Sequence, residues 1–149
     1  MNLSPHVTLA EFENSPTAVK HGISNKMNAE QIERAKLVCV NCFEPIRAYL
    51  KKPIRVNSGF RSLLLNKKIG GSKTSQHCKG EALDLDLHDR KLFNWIIDNV
   101  NFDQLIWEYG NDTNPDWVHV SYSAKGPQRK MILKCTRNAA GQPVYTAWK

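Results

Sequence analysis

The chain has 149 residues, a length typical of one domain, and we predict a single domain over residues 1–149. Its 41% hydrophobic and 23% charged residues are ordinary for a globular protein, and no apolar run approaches the roughly 20 residues that cross a bilayer. The net charge of +7 suits an anionic partner such as nucleic acid, a cell wall or an acidic membrane surface. The basic residues are scattered, so charge alone does not identify the partner.

The first residues, MNLSPHVTLAEFENS, lack the basic start and apolar block of a signal peptide. We therefore expect a protein that is cytoplasmic on synthesis and acts on anything outside only after release. The four cysteines are even in number, but a chain without an export signal meets a reducing compartment first, so disulfides are not inferred. We expect a monomer.

Helical signals dominate the first part of the chain. TLAE (8–11) has the form of a capping box, and Pro16 stands at a typical first helical position. Asn28 opens a longer periodic segment that predicts a helix to about Leu50, with a kink at Pro45. Cys39 and Cys42 lie on its apolar face, and buried core thiols are favoured over a redox or metal-binding pair.

Strand signals dominate the rest. Residues 54–57 predict a short strand, and EALDLDL (81–87) alternates strictly, with its leucines facing one way and Asp84 the other. Further strands are predicted in FDQLIWEYG and WVHVSYS, short helices in SLLLNKKI and RKLFNWIIDNV, and a terminal hairpin around residues 138–141. The predicted fold class is α+β, with N-terminal helices packed on a mainly antiparallel sheet.

Three residues form a candidate metal site. Taken singly, His77 is typical of a solvated loop and Asp84 of the polar face of a half-buried strand. Together they are more specific, because Gly80 allows a sharp turn between them and His119 offers a third ligand in a later strand. Two histidines, one carboxylate and an open position are a typical catalytic zinc set, although the same set can hold iron(II).

Four other residues are weaker candidates. His88 and Asp86 follow on the same alternating face as Asp84, so either would serve as a neighbour that supports the ligands. His6 and His21 lie near predicted helix ends, where capping or surface roles are favoured.

Three blocks of sequence resemble the signature of the zinc D-alanyl-D-alanine peptidases. The blocks are SGFRS (58–62), SQHCKGEALDLD (75–86) and DWVHVS (116–121). The pattern S-x-H-x-x-G-x-A-x-D is met by Ser75, His77, Gly80, Ala82 and Asp84, and acid-x-x-His by Asp116 and His119. This group includes carboxypeptidases, dipeptidases and L-alanyl-D-glutamate endopeptidases of phage endolysins, and it shares a fold with the hedgehog signalling domain.

The resemblance implies a role for each matching residue. His77, Asp84 and His119 would bind Zn²⁺, and Asp116 would be the general base that takes a proton from water. Periodicity does not support this base assignment, since residues three apart in a flat strand face opposite sides, although Pro115 suggests that the strand begins only after it. Glu108, at the end of an apolar strand, is a rival base that we rank lower.

The resemblance also implies two substrate contacts. Arg61 would steady the scissile carbonyl or its oxyanion, or bind a substrate carboxylate, and Ser75 would contact the peptide or simply cap its loop. Asn114 departs from the pattern, because some relatives carry a histidine two places before the acid; this leaves the carboxypeptidase subtype open.

The resemblance thus implies a zinc metallopeptidase that cuts stem peptides of bacterial peptidoglycan, as a D-Ala-D-Ala carboxypeptidase or an endolysin-like L-Ala-D-Glu endopeptidase. Two alternatives are a zinc-stabilised binding module without catalysis and a small basic nucleic-acid-binding protein. The dispersed basic residues disfavour the second, which also leaves the candidate ligands unexplained.

Overall fold

The computed structural model describes residues 1–149. Its first 50 residues are mainly helical, and side chains cap the helices as predicted: Thr8 forms a capping box with Glu11, and Ser15 caps the helix that begins at Pro16. Asn28 forms a second capping box with Gln31. The helices are α1 (Leu9–Glu13), α2 (Pro16–Lys20), α3 (Ala29–Val38), α4 (Glu44–Leu50), α5 (Leu63–Lys68) and α6 (Arg90–Asn99).

The long predicted helix is a continuous helical path with a widened turn in its middle. A π-helical turn, Cys39–Phe43, joins α3 to α4, and Pro45 lies in the first turn of α4. Proline lacks an amide hydrogen and crowds the preceding turn, so the irregularity falls immediately before it. Cys39 and Cys42 have no exposed surface, which confirms the predicted burial of both thiols.

The remaining chain builds a six-stranded sheet with the order β3-β4-β6-β5-β7-β8. All neighbouring strands are antiparallel except β5 and β7, which are parallel. Two short strands that the sequence did not predict, β1 (Asn2–Ser4) and β2 (Val7–Thr8), pair with each other before α1. The sheet strands are β3 (Val56–Ser58), β4 (Ala82–Leu85), β5 (Gln104–Glu108), β6 (Trp117–Ser121), β7 (Met131–Arg137) and β8 (Pro143–Ala147).

The hydrophobic core lies between the central strands and the helices. Leu83 and Leu85 of β4 join a buried cluster with Phe43, Phe93 and Trp107. The other face of β4 is buried as well, so Asp84 is enclosed in the interior. The face of β4 that points away from the hydrophobic core is therefore also part of the protein interior. No helix has the length and apolar character to span a membrane.

Candidate metal centre

The three predicted ligands meet on the face of the sheet opposite the core. Asp84 on β4 stands directly opposite His119 on the neighbouring strand β6. His77 lies in a single 3₁₀ turn, Gln76–Lys79, that immediately precedes β4. Gly80 ends this turn with a φ of +81°, and a Cβ there would lie 2.7 Å from the Gln31 carbonyl oxygen. Only glycine fits this reversal, which confirms the predicted sharp turn.

The candidate ligand atoms are close together and buried. His77 Nε2 lies 3.3 Å and His119 Nδ1 3.1 Å from the same oxygen, Asp84 Oδ1. One ligand atom from each residue lies within 4.8 Å of the others, and the two imidazole rings are 5.0 Å apart in an edge-on arrangement. All three residues are buried, with 3%, 8% and 7% of their surface exposed for His77, Asp84 and His119. The structure thus brings together the three residues that sequence spacing proposed.

A backbone carbonyl sets the tautomer of His77. Its Nδ1 lies 2.6 Å from the Gly59 carbonyl oxygen, which can only accept a hydrogen bond, so Nδ1 carries the proton. Nε2 is then a bare acceptor that faces the Asp84 carboxylate. Burial lowers the pKa of His77, which favours this neutral form. A neutral imidazole whose other nitrogen donates to a carbonyl is the usual arrangement of a metal-bound histidine.

Asp84 is held as the anion. Burial by itself would raise its pKa, but the electrostatic effect of the His77 ring and the hydrogen bond from His119 hold that pKa well below the usual aspartate range. The guanidinium of Arg61 also stands 3.7 Å from its second oxygen, Oδ2. The site therefore contains a buried negative charge facing a bare ring nitrogen.

These features fit a metal ion. An anionic oxygen and a bare nitrogen facing each other repel unless a cation or a proton lies between them. His119 adds a second buried polar atom without a partner, since its Nε2 makes no hydrogen bond. Such orphaned buried polar atoms are uncommon in folded proteins. Two imidazoles and one carboxylate are donors that suit zinc.

A hydrogen-bond network behind the turn holds His77 in place. The side-chain amide of Gln76 donates to Asp103 at 3.1 Å and to Glu81 at 3.4 Å. Arg129 donates a hydrogen bond to the same Asp103 carboxylate, with its Nη2 2.7 Å from Oδ2. Sequence patterns did not reveal these contacts, because the residues are far apart in the chain and have no characteristic spacing.

The ligands open onto a polar cavity of about 880 Å³. Arg61 lines it, and its Nη1 donates to Asn66 at 3.2 Å, which directs the guanidinium toward the ligands. Ser75 also lines the cavity, and its hydroxyl accepts from the His77 amide at 3.2 Å, so it caps the turn as one of its two predicted roles requires.

The predicted supporting and catalytic acids fall in different places. Asp86 and His88 pair with each other at 2.6 Å on the surface, and neither lines the cavity. Asp116 is exposed and also lies outside the cavity lining. Glu108, the lower-ranked rival, is 6% exposed and lines the cavity.

Comparison with known proteins identifies the family. The sequence profile described as peptidase M15 matches residues 5–121, which include all three candidate ligands and Arg61. The chain belongs to the peptidase M15 family. This confirms the family predicted from the three sequence blocks. In this M15 chain, the terminal β7–β8 hairpin lies beyond the matched residues.

One curated relative matches over a shorter region. The chain is 53% identical over 34 residues to a protein named zinc D-Ala-D-Ala carboxypeptidase from Streptomyces albus G. These residues are 23% of the M15 chain and 13% of that relative, so the match covers only a small part of the carboxypeptidase.

Proposed function

We propose that the protein is a zinc-dependent peptidase that hydrolyses peptide bonds in the stem peptides of bacterial peptidoglycan. The observation that carries this proposal is the buried cluster of His77, Asp84 and His119 at the floor of a polar cavity. Membership of the peptidase M15 family supports the reaction class. The name of the Streptomyces relative supports zinc as the metal and peptidoglycan as the substrate.

The ligand residues would each have a separate task. Asp84 would supply the negative charge, and His77 and His119 would supply neutral nitrogens. The chemistry that zinc supplies in such a site is Lewis acidity, which makes water nucleophilic at neutral pH. The Gly59 carbonyl would keep His77 in the tautomer that leaves Nε2 available.

Arg61 would orient the substrate. Its guanidinium lines the cavity beside the ligands, and its backbone amide donates to the His77 carbonyl at 3.1 Å, so its position is tied to the metal site. A guanidinium there would stabilise the negative charge that develops on the scissile carbonyl oxygen, or bind a carboxylate of the stem peptide. Ser75 would contribute indirectly, by capping the turn that carries His77.

The specific bond and the detailed fold are finer parts of the proposal. We propose a hedgehog/DD-peptidase-like arrangement of helices on the sheet, and either D-Ala-D-Ala carboxypeptidase or L-Ala-D-Glu endopeptidase activity of the phage endolysin type. The two activities share one chemistry and differ in how the peptide lies in the cavity. The net charge of +7 supports association with an anionic cell wall.

Digestion of purified peptidoglycan by the zinc-loaded protein, followed by mass spectrometry of the fragments, tests the proposal. Release of terminal D-Ala identifies a carboxypeptidase, and a new glutamate N-terminus identifies an endopeptidase. A chelator should abolish either product and added zinc should restore it. Stem peptides left intact by protein that retains stoichiometric zinc would contradict the proposal.

A further inference from the structure

A buried carboxylate of the cavity has no role among the metal ligands. Glu108 ends β5, where the ladder with β6 pairs it with Trp117 and pairs Ile106 with His119. Side chains two residues apart in a strand share a face, and directly paired residues lie on the same face. Glu108 and His119 therefore occupy one sheet face as diagonal neighbours, and both line the cavity.

This diagonal position suits a group that acts next to the metal without binding it. Diagonal neighbours across an antiparallel pair have backbones about 7–8 Å apart, within reach of long side chains. Asp84 already stands directly opposite His119 on the other side of β6. The Glu108 side chain thus lines the cavity from β5, on the other side of β6 from the aspartate ligand on β4.

Asp116, the base that the family resemblance implies, is placed differently. It directly precedes β6, whose first residue Trp117 lines the cavity, but Asp116 itself does not line it. Its side chain is exposed and makes no hydrogen bond in the structure.

The surroundings of Glu108 suit proton transfer near neutral pH. Burial raises its pKa to about 7, partly opposed by the nearby His119. A general base is most effective when its pKa lies near the working pH. Cys135 stands directly opposite Glu108 in the β5–β7 ladder, and Tyr145 stands opposite Cys135 on β8. These neighbours enclose the carboxylate on the side away from the metal ligands.

We propose that Glu108, rather than Asp116, is the general base and then the general acid of the peptidase reaction. This inference rests on the proposed function. The oxygen of water forms a bond to the scissile carbonyl carbon while one of its protons passes to the Glu108 carboxylate. When the C–N bond breaks, that proton passes to the leaving nitrogen. The products are an amine and a carboxyl group that keeps the second proton of the water until it ionises, and Glu108 returns to its starting state.

The test compares Glu108→Gln with Asp116→Asn in zinc-loaded protein acting on peptidoglycan. Both substitutions remove one negative charge and change size little. Glu108→Gln should lower kcat by about 10²–10⁴-fold, the usual contribution of a general base, with zinc content and KM near wild type. Asp116→Asn should stay within about threefold of wild type, since its carboxylate lies outside the cavity.

The pH dependence of kcat/KM gives a second readout. In wild type, kcat/KM should rise with pH as the general base loses its proton. The residual activity of Glu108→Gln should not show this rise. A Glu108→Gln protein with near-normal kcat, or an Asp116→Asn protein with the large loss, would overturn the inference. Inactive wild type with bound zinc would instead show that the proposed function itself is wrong.

Discussion

Replacing Asp84 by asparagine should separate the effect of the metal from the stability of the fold. The Asp84→Asn substitution would keep the shape of the side chain and remove the negative charge that faces His77 and His119. In metal-free protein at pH 8, the new amide can donate to the bare His77 Nε2, where the carboxylate offers only another acceptor. The folded protein nevertheless favours the charged carboxylate, because its pKa is held below the usual range and Arg61 stands 3.7 Å from Oδ2. The metal-free variant should therefore unfold at a lower temperature than wild type.

The loss of stability should be larger when zinc is added. Residues that merely support a metal ligand contribute about 10–100-fold to metal affinity, so loss of a direct anionic ligand should cost at least about 100-fold. At saturating zinc this removes about 2.7 kcal/mol of stabilisation. For a chain of this size, the zinc-induced rise in melting temperature should shrink by about 5–11 °C.

Differential scanning calorimetry with and without zinc measures both effects, and Asp86→Asn is the matched control. Asp86 is two residues further along, has a side chain 43% exposed and pairs with His88. Its replacement removes the same charge but should leave the zinc-induced shift within about 1 °C of wild type. A full shift in Asp84→Asn, or an equal loss in Asp86→Asn, would refute the ligand assignment.

Four further substitutions or measurements test separate parts of the structure. In Gly59→Ala, the new Cβ would lie 2.5 Å from the Phe12 carbonyl oxygen and displace the residue-59 carbonyl that holds His77. Calorimetry should therefore show a loss of stability of about 1–3 kcal/mol and weaker zinc binding. Arg61→Lys should retain zinc and lower kcat by about 10²-fold, since an ammonium lacks the forked guanidinium geometry; unchanged steady-state kinetics would contradict its role. Burial raises the pKa of Glu108 to about 7, so the folded metal-free protein binds this proton more tightly than the unfolded chain. Denaturant titrations should therefore show wild type losing up to about 3 kcal/mol, relative to Glu108→Gln, as the pH rises from about 4.5 to about 7. Alkylation of native protein followed by peptide mapping should label Cys78 first, because the other three thiols are buried; early labelling of any of those would contradict the packing.

Local features of the fold could be predicted from the sequence because their causes are local. The caps at Thr8 and Asn28 depend on residues three apart, and both capping boxes formed. The predicted strand at residues 54–57 appeared at Val56–Ser58, an error at the boundary rather than in the type of element. The π-helical turn after Val38 was not predictable, because hydrophobic periodicity does not distinguish it from a kink at Pro45.

The candidate site required long-range information. The pairing of Asp84 with His119 depends on β4 lying beside β6 rather than β5, and no local pattern determines that order. Asp84 also lies 3.3 Å from His77, whose turn is held by the Gly59 carbonyl far away in sequence. The family resemblance named the same three residues that the structure brings together. It also favoured Asp116, which strand alternation alone had already made doubtful.

The elements that carry the site differ in rigidity, and this difference should govern metal binding. Asp84 and His119 lie on adjacent strands of the sheet, where ladder hydrogen bonds and the core fix their separation. His77 lies on a single turn whose position depends on the Gly59 carbonyl and on the Gln76 contacts with Asp103. Functional groups on strands are held more closely than those on loops. Changes that loosen this turn should therefore weaken metal binding through His77 while leaving the other two ligands in place.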